Sequence, residues 1–181
     1  MRISNKIKSL LALTLCIISF NGVAYANEEE KTIDKMTYKE KIDLLNSYSL
    51  DFIENNKEEV DLLANSIEKD EAKIPNLRAV QNSYNMNDYF DYYGKITRDG
   101  MLSFSLDPKN TVRILKSNAS NAYSAFYDKY QDDDDFKKGP QSTENQYWCH
   151  FNYAKIKDRW NLEPVRPVVS GSQMVVKLCN P

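Results

Sequence analysis

The sequence predicts an α+β protein: a small antiparallel hairpin or sheet packed by helices, preceded by a helical hairpin and held by one disulfide. Three observations carry this. Apolar residues recur at helical spacing through 36–67, the period changes to strict alternation at 101–106, and Cys149 and Cys179 bracket the C-terminal stretch.

The first element is a leader. Arg2, Lys6 and Lys8 precede an uncharged apolar run at 10–20, followed by Ala24-Tyr25-Ala26, with small residues at the two positions a signal peptidase reads. Residues 1–26 are therefore expected to be a secretory signal peptide. The run is too short for a permanent span of a hydrocarbon core about 30 Å thick, and no later stretch is longer or more apolar, so no transmembrane segment is expected in the mature form. Cys16 does not suit a lipid anchor, because Leu13-Thr14-Leu15 lacks the small residues that would precede a lipidated cysteine. Export removes three of 24 Lys and Arg against 26 Asp and Glu, giving a net charge of about −5. That balance predicts no nucleic-acid partner and repulsion from an anionic surface.

Residues 27–80 form the predicted helical N-terminal segment. Met36, Ile42, Leu45, Phe52 and Ile53 make one stripe, Val60, Leu62, Leu63 and Ile67 a second, with Asn55-Asn56 between them. Thr37 followed by Glu40 reads as a capping box. Residues 81–181 form the predicted C-terminal α+β domain. There, a strand around 89–96 is expected to pair with 101–106 across Arg98-Asp99-Gly100, because Asp-Gly tolerates the positive φ of a tight hairpin. Asp107-Pro108 ends that strand. The β-branched run 111–115 suggests a third strand, and 117–130 a helix with Ala119, Ala122, Tyr123, Phe126, Tyr127 and Tyr130 on one side.

The next run, QDDDDFKKGP, reads as a solvated loop, since four adjacent like charges oppose compaction. Its carboxylates lack the alternate spacing of a calcium loop. Thr143 with Gln146 suggests a second capping box and a helix over 144–157. Pro164 and Pro167 then make NLEPVRP an extended connector.

Cys149 and Cys179 are the two cysteines left after export, and a disulfide is the simplest reading of such a pair. Its loop of 31 residues would contribute roughly 3–4 kcal/mol in chain-entropy terms. Two cysteines and one adjacent His150 give no set of metal ligands, so neither a metal nor another cofactor is expected.

ITRDGMLSFSLDP, followed by CHFNYAKIKDRWNLEPVRP and a terminal CNP, resembles a family of exported bacterial proteins catalogued as a domain of unknown function. The resemblance spans 89–181 and carries no activity with it. This chain has Val165 and Gly171 or Ser172 where members often have an aromatic.

The segment 149–167 is chemically dense. A hydrolase could use His150 as general base, oriented by Asp158 or Glu163, with Arg159 or Arg166 facing a developing oxyanion. On one helix, however, His150 and Asp158 stand about 12 Å apart. No nucleophile elbow, phosphate-cradling glycine loop or dinucleotide fingerprint accompanies them. The alternative is a binding surface built on Arg159, Trp160 and Arg166 over a disulfide-tied scaffold. The leading expectation is a secreted, extracellular, non-enzymatic interaction protein. Its partner would be an extracellular protein or a cell-surface component, and its role could extend to antagonism of neighbouring bacteria. The small hydrolase centred on His150 is the alternative.

Overall fold

The computed structural model describes residues 32–73 and 85–181. The expected signal peptide lies outside the described residues. A 3-10 turn, Ile33–Lys35, leads into α1 (Tyr38–Ser47), α2 (Leu50–Asn55) and α3 (Lys57–Glu71). The capping box forms as expected: the Thr37 side chain accepts from the Glu40 backbone, and the Glu40 carboxylate accepts from the Thr37 backbone at 2.7 Å. The first predicted helix is broken in two at Tyr48 and Ser49, where the Ser49 hydroxyl caps α2 through the Phe52 N–H. Leu45, Tyr48, Ile53, Val60, Leu63, Ala64 and Ile67 form one core. Leu62, expected in that stripe, points outward.

After a single turn, α4 (Met86–Tyr89), the chain enters β1 (Phe90–Arg98) and returns as β2 (Met101–Pro108). Arg98 pairs with Met101, and the two intervening residues, Asp99 and Gly100, take φ of 49° and 76°. Both angles are positive, as a two-residue hairpin turn requires to match strand twist. The run expected to be a third strand is instead α5 (Asn110–Ile114). Tertiary bonds override β-branched propensity there, because the helical turn lets Arg113 Nη1 reach the Lys155 and Lys157 carbonyls at 2.6 Å each. The third strand is β3 (Trp160–Leu162), drawn from the predicted connector and paired antiparallel to β2 in the order β1-β2-β3.

Next, α6 (Lys116–Tyr130) and α7 (Pro140–Tyr153) cover one face of the sheet. Phe104, Leu106, Trp160 and Leu162 from the strands pack there on Ala119, Ala122, Phe126 and Tyr147. The acidic run between the helices is more than a solvated loop. Phe136 in its 3-10 turn is buried against Phe104 and Phe126, while Asp133 and Asp135 both pair with Lys95 of β1.

The second expected capping box does not form. Pro140 starts α7 earlier, at a position where its missing N–H costs no bond. The Thr143 hydroxyl donates to the Gly139 carbonyl, and Gln146 serves the far side of the fold. A last short helix, α8 (Gly171–Val176), opens with a Ser170–Gln173 capping box. It is pinned by the Cys149–Cys179 disulfide, whose Cα atoms are 5.4 Å apart. Among the described residues, no helix is long and apolar enough to cross a membrane.

Candidate functional site

The dense segment does not converge on one pocket; the fold divides its residues between the core and three surroundings. His150, on α7, is 1 % exposed and stacks flat on Trp160 at 5.9 Å between ring centroids. Neither ring nitrogen makes a well-formed hydrogen bond. Burial pushes the imidazole down to about 3, helped by the charge of Lys157, and more weakly by those of Arg113 and Arg98. The ring is therefore neutral, dry and a very weak base. Trp160 is fully buried and also meets Tyr147 edge-on, so its indole contacts core residues and not solvent.

Arg113 organises the loop that follows α7. Its side chain is almost wholly buried, and its donors are all engaged: Nε on Pro108 O, Nη1 on Lys155 O and Lys157 O at 2.6 Å each, Nη2 on Asp107 Oδ1 and Asp158 O at 3.1 Å. Asp158 thus contributes its carbonyl to this clamp. Burial pushes the Arg113 ionisation down and Asp107 opposes it. Nothing in the local sequence marks Arg113, because its partners come from both ends of the domain.

On the outer sheet face, alternation brings Tyr92, Gly94, Ile96 and Arg98 of β1 beside Asp107, Ser105, Ser103 and Met101 of β2, with Asn161 of β3 next in line. Arg159 lies over the Tyr92 ring at 4.0 Å and 3.8 Å from Asp107. Ser103 Oγ, Asn161 Oδ1 and Arg159 Nη1 are buried there without hydrogen-bond partners. Nearby, a cleft of about 450 Å³ between the α1–α2 junction and the β2–α5 junction is lined by Tyr48, Asp91, Asp107, Lys109, Asn110 and Arg113.

Glu163 and Arg166 form a partly buried ion pair, Arg166 Nε donating to Glu163 Oε2 at 2.6 Å. Arg98 approaches the other carboxylate oxygen at 3.8 Å. Gln146 donates to the Glu163 carbonyl and accepts from its N–H, replacing a neighbouring strand at the free edge of β3. Asn180 completes the network by donating to Asn161 O at 2.8 Å and Gln146 Oε1 at 3.1 Å. The carboxylate of Glu163 is therefore committed to structure.

The remaining surface is the outside of the segment that the disulfide closes. Cys149, Met174 and Cys179 form a small core of their own with Ala154 and Val169. Outside it stand Val165, Val168, Val175, Val176 and Leu178, with Val176 78 % and Leu178 70 % exposed. Among the described residues, no group of three or more His, Cys, Asp or Glu is placed to hold a metal ion.

Residues 94–181, from within β1 to the C-terminus, match a family described as "Protein of unknown function (DUF2599)". The chain is also similar to an uncharacterized protein of Mycobacterium bovis and to uncharacterized proteins of two Mycobacterium tuberculosis strains. Each is 52% identical over 40 residues, covering 20% of this chain and 27% of the relative. The chain thus spans about a quarter of the length of these curated relatives. No solved structure matches.

Proposed function

We propose that the protein is exported and acts outside the cell as a non-enzymatic binding protein, engaging a cell surface or an extracellular partner through its disulfide-closed C-terminal segment, with antagonism of neighbouring bacteria as one use of that contact. The observation that carries this reading is the exposure of Val165, Val168, Val176 and Leu178 on a segment fixed by the Cys149–Cys179 bond. Several exposed apolar side chains on one disulfide-closed segment are costly to leave in water and suit an interaction site. The hydrolytic alternative draws no support from the geometry. His150 lies beneath Trp160, and Glu163 is held by Arg166.

The test is binding of the purified, oxidised protein to intact bacterial cells, with and without Val168→Ser and Leu178→Ser together. Cell binding should fall at least about tenfold in the double variant, since two exposed apolar contacts are lost. Unchanged binding, with the fold intact by circular dichroism, would remove this segment from the contact. Hydrolysis of envelope material by the wild-type protein would remove the non-enzymatic reading.

A further inference from the structure

Resting on that reading of the C-terminal segment, we infer that its occupant is the surface of an anionic lipid bilayer. The argument is charge complementarity. Residues 164–181 contain Arg166 and Lys177 and no Asp or Glu, in a chain with 26 acidic residues. The net acidity that would repel an anionic surface is thus absent from a segment that also presents exposed aliphatic side chains.

The cations are placed at the edge of the apolar group. Lys177 stands between Val176 and Leu178, so the two aliphatic side chains can enter the acyl boundary while the ammonium on its long stem stays at phosphate level. Lys157 donates to the Leu178 carbonyl at 3.0 Å, and Arg166 is held on Glu163, itself linked to Asn180. These bonds bring Lys157 beside Lys177 on the same short stretch of backbone, while the charge of Arg166 is matched by Glu163.

The stretch is also rigid. Leu178 and Cys179 take positive φ of 52° and 69°, and the Cys179 N–H bonds to the Met174 carbonyl. Docking therefore orders little chain, and modest apolar insertion plus electrostatic attraction suffices for reversible binding. Two of the acidic residues of the α6–α7 loop, Asp133 and Asp135, are tied to Lys95 of β1.

The experiment is vesicle flotation of the full exported protein, comparing phosphatidylglycerol mixed into phosphatidylcholine with phosphatidylcholine alone. Partition into the anionic vesicles should be about tenfold or more higher and should fall as salt is added. Lys177→Gln should lower it about fivefold, and Val176→Asp should abolish it. Both side chains are exposed, so the fold should be unchanged by circular dichroism. Should Val176→Asp misfold, Leu178→Asn serves instead, since Asn accepts the positive φ there. Equal partition into neutral and anionic vesicles would overturn the inference. Binding to whole cells that Val176→Asp abolishes, without any vesicle binding, would also overturn it while leaving the proposed function standing. No binding to either would sink both.

Discussion

His150 lies against Trp160 with its ionisation moved from the ordinary 6.5 to about 3, by burial first and by Lys157 next. Between those values the unfolded chain binds a proton that the folded chain refuses. The contribution to stability is complete above 6.5 and is lost as pH falls, at up to about 1.4 kcal/mol per pH unit. Lys41, Lys95 and Lys138 hold the carboxyls of Asp70, Asp133 and Asp135 below their ordinary range, so those groups lose their contribution at lower pH. Urea unfolding between about pH 6 and 4 therefore reports chiefly on the imidazole, and His150→Phe should flatten the slope there. Equal slopes in the two proteins would mean that water reaches the ring. Sequence alone shows a histidine beside a cysteine and a tryptophan ten residues further on. It cannot show that α7 turns this residue inward, because that depends on where β3 lies, some ten residues later.

The legible elements were those whose signals are local. Asp99-Gly100 specifies its turn through two positive φ angles, and Thr37 with Glu40 caps α1 within one turn of chain. The illegible ones answer to distant partners. Residues 110–114 become a helix because Asn110 and Arg113 bond to groups across the fold, and Gln146 is drawn from a cap to the edge of β3. A similar long-range demand falls on Gly139, whose φ of −168° any residue could adopt. A Cβ there would lie 1.9 Å from the Pro164 carbonyl oxygen, where α7 and the connector after β3 press together. Gly139→Ala should destabilise by about 1–3 kcal/mol in urea titration, because backbone on both sides must part. Gly171→Ala, with open space around it, should be neutral or slightly stabilising. If both are neutral, the close approach at Gly139 is not present in solution.

Across the whole molecule, the N-terminal helices and the sheet half are joined by a small number of specific contacts. Asn110 Nδ2 donates to Leu45 O at 2.9 Å and Tyr48 O at 2.7 Å, where the backbone leaves α1. Asn46 Oδ1 accepts from the Thr111 N–H, Ser117 donates to Glu71, and Leu115 completes the helical core from the opposite side. Through these contacts the two parts should unfold as one cooperative unit. Both tryptophans, Trp148 and Trp160, pack in the sheet half, so their fluorescence follows that half, whereas far-UV circular dichroism follows every helix. In the wild-type protein the two signals should give the same urea midpoint. Asn110→Ala with Leu115→Ala removes the donor shared by the Leu45 and Tyr48 carbonyls and opens a cavity. Together these should cost about 3–6 kcal/mol, charged mainly to the junction. Helical signal should then be lost at lower urea than fluorescence, with the disulfide-closed segment still native. If both signals instead shift together, cooperativity runs through more than these contacts, and if they separate in the wild type, the junction does not couple the two parts.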